Sequence, residues 1–115
     1  MPKILHLTLK KKWFDLIAKG EKPEEYRELK PYWIRRLTGF YTIEALTDYI
    51  FSKDFNYDLK DRKEYTVIKF RNGYSRTAPT ITVEYKDLTV GYGKAKWGAP
   101  NCNVFVLELG KIISG

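Results

Sequence analysis

The sequence predicts an α+β domain: a small, mostly antiparallel β-barrel of about five to six strands, with two or more short helices plugging its ends. Three observations carry that expectation. Period-two alternation recurs in short segments from one end of the chain to the other. Helical spacing is confined to short stretches in the first third. The length of 115 residues suits one core rather than two. Hydrophobic residues make up 43% of the chain and aromatic ones 16%, enough to fill that core and to exclude global disorder.

The elements follow in order. Residues 4–10 alternate, with Leu5, Leu7 and Leu9 on one face and His6, Thr8 and Lys10 on the other, the pattern of a strand with one buried side. The period changes after Lys11. Trp13, Leu16 and Ile17 fall at i, i+3 and i+4, and Gly20 suits the left-handed residue that ends a helix. Pro23 bars continuation, and residues 24–28 read as a strand with Glu25 and Arg27 on one face and Tyr26 on the other. Residues 30–37 read as a second helix with Pro31 near its first turn. Residues 38–64 show no sustained period, and Tyr49-Ile50-Phe51 fits either a helix packed on the barrel or a loop insertion. Alternation returns over 65–71, and Asn72-Gly73 signals a tight hairpin. Residues 80–86 alternate again, with Leu88-Thr89-Val90 continuing past a bend at Asp87. The last strand spans 104–109 and is closed by Gly110, with Ile112 and Ile113 able to pair beyond it. No repeat, low-complexity tract or linker divides the chain, so residues 1–115 are expected to form a single domain.

The charge balance is 21 Lys+Arg against 14 Asp+Glu, a net +7. That excess is the electrostatic footprint of a polyanion binder. Nine tyrosines, six phenylalanines and three tryptophans are interleaved with the cations. Aromatic faces stack on bases while Lys and Arg hold phosphates, though most of the rings are needed in so small a core. The absence of an apolar run of signal or membrane length predicts a cytoplasmic protein with no membrane partner. With one cysteine, Cys102, and one histidine, His6, an intrachain disulfide is excluded and a zinc site has almost no ligands; neither a metal nor a cofactor is expected.

Three polar constellations stand out. Glu25 and Arg27 are two apart on a strand and leave the same face, and Lys22 at the preceding turn can lean over them. A carboxylate so flanked can fix an Arg fork toward a phosphate or base edge, or Lys22 and Glu25 can act as acid and base. The second is Arg71-Asn72-Gly73-Tyr74-Ser75-Arg76, where a turn with arginines, an amide and a ring can clasp a phosphate and stack a base. The third is the Gly-rich loop 91–98, whose Lys94, Lys96 and Trp97 suit the rim of a nucleic-acid groove and lack the spacing of a P-loop. Each is equally compatible with a solvated, purely structural role. Trp13 and Trp33 read as core, His6 as structural, and Lys10-Lys11-Lys12 as a solvated face in position to meet phosphates.

Gly20-x-Lys22-x-x-Glu25-x-Arg27, following a leucine-rich strand and an amphipathic helix, resembles the signature of the ASCH (activating signal cointegrator homology) domain, a family of PUA-like barrels. Lys10-x-x-Trp13-Phe14-x-x-Ile17 falls at the family's first helix and Phe105-x-Leu107-x-Leu109-Gly110 at its last strand, which leaves residues 38–64 as a stretch atypical of the family. The resemblance implies a cleft beside the barrel, floored by the motif residues, that takes RNA or a nucleotide. The expected ligand-binding set is Lys22, Glu25, Arg27, Arg71, Asn72, Tyr74, Lys94 and Trp97. Some bacterial relatives are amidohydrolases of acetylated cytidine and others have been proposed as ribonucleases, which makes a small hydrolase using Lys22 and Glu25 the alternative. Glu25 stands where the amidohydrolases carry a threonine, and a carboxylate replaces a hydroxyl poorly at a neutral amide. That departure favours binding over amide hydrolysis.

Overall fold

A computed structural model describes residues 3–52 and 58–115. Met1 and Pro2, which precede the first predicted strand, and residues 53–57 of the unassigned stretch lie outside the described residues. The elements are β1 (Lys3–Leu9), α1 (Lys11–Ala18), β2 (Glu24–Arg27), α2 (Pro31–Thr38), α3 (Ile43–Ser52), α4 (Leu59–Lys63), β3 (Tyr65–Asn72), β4 (Thr80–Gly91), a 3-10 turn at Ala95–Trp97, and β5 (Val104–Ser114). The architecture is α+β, with a five-stranded sheet curled into a half-barrel. Its strand order is β1-β3-β4-β5-β2. The β1–β3 pair is parallel and the other three pairs are antiparallel.

Curling brings one face of the sheet around a single main core. Leu5, Leu7 and Leu9 of β1, Ile68 and Phe70 of β3, Val83, Tyr85 and Leu88 of β4, and Phe105, Leu107 and Leu109 of β5 are all buried there. The helices close it from outside the sheet. Helix α1 contributes Phe14 and Ile17, α2 contributes Ile34 and Leu37, and the two later helices contribute Leu46 and Leu59. Full burial of a side chain of this size is worth about 1.5–3 kcal/mol, so each helix is held mainly by one or two such anchors. A smaller cluster of Tyr26, Val104 and Val106 lies apart, packed by Trp97 and Ala99.

Local chemistry explains most boundaries. Gly20 (φ +78°) reverses the chain after α1, as its sequence position predicts. Pro31 opens α2, and Gly39 in a left-handed conformation ends it. Within residues 38–64, Thr42 caps α3 by accepting from the Ala45 N–H, and Asp58 caps α4 by accepting from Asp61. The choice left open at Tyr49-Ile50-Phe51 is thereby decided for a helix. Leu46 anchors it in the core, while Tyr49 packs on Phe40.

Two expectations are corrected. The tight Asn72-Gly73 hairpin is a seven-residue connection (73–79): Gly73 donates its N–H to the Leu9 carbonyl of β1, and Asn72 closes the ladder with Pro79. Gly110 does not close the last strand. Tyr85 pairs with Leu109 and Val83 with Ile112, so β5 carries one extra residue there and runs on to Ser114. A Cβ on Gly110 would meet Glu84 Cβ at 2.9 Å, so glycine lets this bulge press against β4, and the Glu84 carboxylate accepts the freed Lys111 N–H. As the sequence predicts, the strand continues past Asp87, where a further register shift falls between Tyr85 and Asp87.

The barrel is also open. Strands β1 and β2 are the two edges of the sheet and share no ladder. Side chains span that gap.

Candidate functional site

Strand β1 is paired with β3 on one side only, so alternate carbonyls point outward from its free edge. Two arginines satisfy them. Arg27, on β2, donates from Nη2 to the Thr8 carbonyl at 3.2 Å. Arg36, on α2, donates from Nη2 to the carbonyl of His6, two residues earlier. Trp33 stands against both guanidinium groups, with its ring centroid 5.0 Å from Cζ of Arg27 and 5.4 Å from Cζ of Arg36. Tyr32 packs edge-on to Trp33 at 4.8 Å, and its hydroxyl accepts from Arg36. This cation–π stack holds α2 over the edge of the sheet.

Glu25 joins this edge to a second, buried layer. Its Oε2 accepts from Arg27 Nη1 at 2.5 Å, and its Oε1 lies 3.2 Å from Lys22 Nζ. Lys22 is 2% exposed. Its ammonium donates to the Trp97 carbonyl at 2.6 Å, and it sits 4.6 Å from the Tyr26 ring centroid and 5.2 Å from that of Trp13. Burial pushes the Lys22 ammonium pKa down from its ordinary value, against the opposing pull of Glu25. Tyr26 ties the same layer to the loop after β4. Its hydroxyl donates to Glu24 Oε1 and accepts the Lys94 N–H, and burial pushes its phenol up. A Cβ on Gly98 would stand 2.8 Å from the Trp13 ring, so that glycine admits the indole against the loop.

Above the layer opens a cleft of about 930 Å³. Its floor is the outward face of β1 with His6, Thr8 and Lys10; Lys69 and Arg71 of β3 rise on one side, and Arg27 and Arg36 on the other. Five Lys/Arg side chains line it (Lys10, Arg27, Arg36, Lys69 and Arg71) against one carboxylate, Glu25. Trp13, Tyr32, Trp33 and Tyr74 supply rings, and Tyr74, 89% exposed, stands free at the mouth. Such a surface attracts anions and offers planar faces to bases. Among the described residues no group of His, Cys, Asp and Glu is arranged to hold a metal, and no helix is long and apolar enough to cross a membrane.

Of the residues singled out in the sequence, Glu25, Arg27, Arg71 and Tyr74 converge on this cleft. Lys22 lies beneath it with its ammonium enclosed. Asn72 is held in the β1–β3 ladder opposite Leu9, and Lys94 and Trp97 belong to the loop behind Lys22; none of the three lines the cleft. Arg76, at the exposed turn, is also outside it. Sequence reasoning took His6 as structural and passed over Lys69 and Arg36. The usable signal was the polar half of two alternations, His6-x-Thr8-x-Lys10 and Lys69-x-Arg71, together with an Arg36 one helical turn from Tyr32. Compared with known proteins, the chain matches no family model, no curated protein and no solved structure.

Proposed function

We propose that this chain is a cytoplasmic RNA- or nucleotide-binding module of the ASCH, PUA-like kind, with its ligand in the cleft over β1. The observation that carries this reading is the cleft lining itself: five cations and four aromatic rings around one carboxylate. Arg27, Arg71, Arg36 and Lys69 meet phosphate, while Tyr74 and Trp13 offer faces to bases. Glu25 orients Arg27. Lys22 acts one layer further down, fixing Glu25 and the loop at Trp97 rather than touching ligand.

The hydrolase alternative draws less support from this arrangement. A proton donor must reach its substrate, and the Lys22 ammonium is occupied by Trp97 and Glu25 and faced by two rings. Both Glu25 oxygens are likewise engaged.

The test is fluorescence anisotropy with a labelled oligoribonucleotide, and competition by free nucleotides, across a salt series. Binding at low salt should weaken steeply as salt rises, and Arg27→Gln with Arg71→Gln should reduce both affinity and slope. An unchanged affinity in that double variant, or no binding at low salt, removes the proposal. Turnover of RNA or of an acylated nucleoside that disappears in Glu25→Gln would put the hydrolase in its place.

A further inference from the structure

The cations of the cleft are arranged in register with β1. At His6, Arg36 holds the backbone carbonyl from the free edge, and Lys69 is the cross-strand partner on β3. Two residues on, at Thr8, Arg27 holds the carbonyl from the same edge, and Arg71 is the partner on β3. Paired residues of a ladder share a face, and all six line the cleft. The result is two transverse rungs, Arg36/Lys69 and Arg27/Arg71, each with a cation on either side of the strand. In a parallel sheet a two-residue step is about 6.6 Å, so the rungs repeat at that spacing.

We infer that the cleft selects a single nucleic-acid strand by its phosphodiester repeat, one phosphate per rung, over a free nucleotide. Adjacent phosphates of a nucleoside polyphosphate share one bridging oxygen and lie too close together to occupy both rungs. Successive phosphates of a strand are separated by a whole sugar and can. A duplex carries the same repeat, but its bases are paired and stacked and cannot lie against the Trp13 and Tyr74 rings that line this cleft. The rungs are also rigid where it matters. Arg27 and Arg36 are fixed by carbonyls and by the Trp33 ring near both, so less freedom is lost when a phosphate docks. The inference rests on the cleft being the ligand site proposed above, and adds which ligand it takes.

A length series on the unaltered protein tests it directly: a nucleoside triphosphate, a dinucleoside monophosphate, a trinucleoside diphosphate, and a duplex containing the same sequence. The trinucleoside diphosphate should bind tightest although the triphosphate carries more charge. Its log–log salt slope should exceed that of the dinucleoside by about 0.7, the value for one further phosphate contact on a single strand. Lys69→Gln and Arg71→Gln should each remove a similar increment, with melting temperatures measured to confirm folding. If the triphosphate or the duplex binds as tightly as the trinucleoside diphosphate, or if neither variant alters the slope, the rungs do not read a strand, while nucleotide binding in the cleft survives. If no ligand in the series binds at low salt, the proposed function itself falls.

Discussion

The fold treats the cation beneath the cleft and the cations on its wall in opposite ways. Lys22 is withdrawn from solvent and saturated by Glu25, the Trp97 carbonyl and two aromatic rings. Lys69 and Arg71 stand half-buried on the cleft wall, with no ion-pair partner among the described residues. A desolvated charge has to be neutralised within the protein, because the cost of leaving it bare is several kcal/mol. A solvated one keeps its capacity for an external anion. Arg27 spans the two regimes, tied to Glu25 below and to the Thr8 carbonyl at the floor. Position in a motif therefore says little about which cation is left free for an external anion; depth decides.

The largest expected effect tests the buried half. Lys22→Met leaves Glu25 enclosed with one counter-charge gone, and breaking a buried pair in this way costs about 3–5 kcal/mol. In a chain this size, thermal unfolding should shift downward by more than about 10 °C. The pH dependence has a definite sign. Burial holds the folded-state pKa of Lys22 below its unfolded value of 10.5, so between those two values the unfolded chain binds more protons. This residue's contribution to stability therefore rises with pH across that window and is at its least favourable below it. Urea unfolding from neutral pH toward 10 should show the wild type gaining on Lys22→Met. A constant gap between them would mean that the ammonium is not desolvated in solution.

Glu25→Gln acts at the joint between the regions and should fall between the extremes. The amide keeps the shape and one acceptor but loses charge-assisted bonds to both Lys22 and Arg27, a class of bond worth about 1.5–3 kcal/mol. Calorimetry gives the stability loss, and anisotropy should show weaker RNA binding than wild type because Arg27 is no longer fixed. Loss of stability without loss of affinity would separate the two layers and make Glu25 purely structural.

How much of this was legible in the sequence follows the same division by depth. The β1 alternation, the α1 spacing and the Glu25/Arg27 face depend on local periodicity, and each formed where the pattern put it. Residues 38–64 resisted because α3 and α4 hang on one buried leucine apiece, Leu46 and Leu59, too few to make a helical stripe. The hairpin at Asn72-Gly73 was misjudged because the Gly73 N–H is taken by β1, a partner more than sixty residues earlier. Lys22 could not be recognised as buried from its own neighbourhood, since Trp97, whose carbonyl accepts its hydrogen bond, is 75 positions away. Arg36 and Lys69 meet at His6 only through the β1–β3 ladder and the reach of α2 to the edge of β1, neither of which local periodicity shows.

Tyr85 supplies the counter-example to Lys22, a polar group buried without a partner. It is 3% exposed, and its hydroxyl has no hydrogen-bond partner among the described residues. Leaving such a group unpaired costs about 1–3 kcal/mol, so Tyr85→Phe should stabilise the fold by about 1 kcal/mol, a rise in melting temperature of about 4–8 °C. The alkaline limb should change as well. Burial raises the phenol above its ordinary 10.0, the unfolded chain loses that proton first, and stability falls as pH climbs past 10. Tyr85→Phe should flatten that decline. If it destabilises instead, the hydroxyl has found a partner in solution and the contrast with Lys22 disappears.

The smallest effect is expected where the sequence placed a third group of cations. Lys94 contributes its backbone N–H to the Tyr26 hydroxyl, and Trp97 its carbonyl to Lys22, so the loop is held by main-chain atoms that a side-chain change leaves intact. Neither side chain lines the cleft. Lys94→Gln with Lys96→Gln should therefore leave the melting temperature unchanged. Its only route to the ligand is the long-range field, which falls away over a Debye length of about 8 Å at physiological salt. The salt slope for a short oligoribonucleotide should stay at the wild-type value, whereas Arg71→Gln lowers it by about 0.7. A slope lowered equally by the loop variant would extend the interface around Lys22 to the far side of β2. The buried layer would then lie between two contact surfaces, and depth would no longer separate the residues that hold the fold from those that meet the ligand.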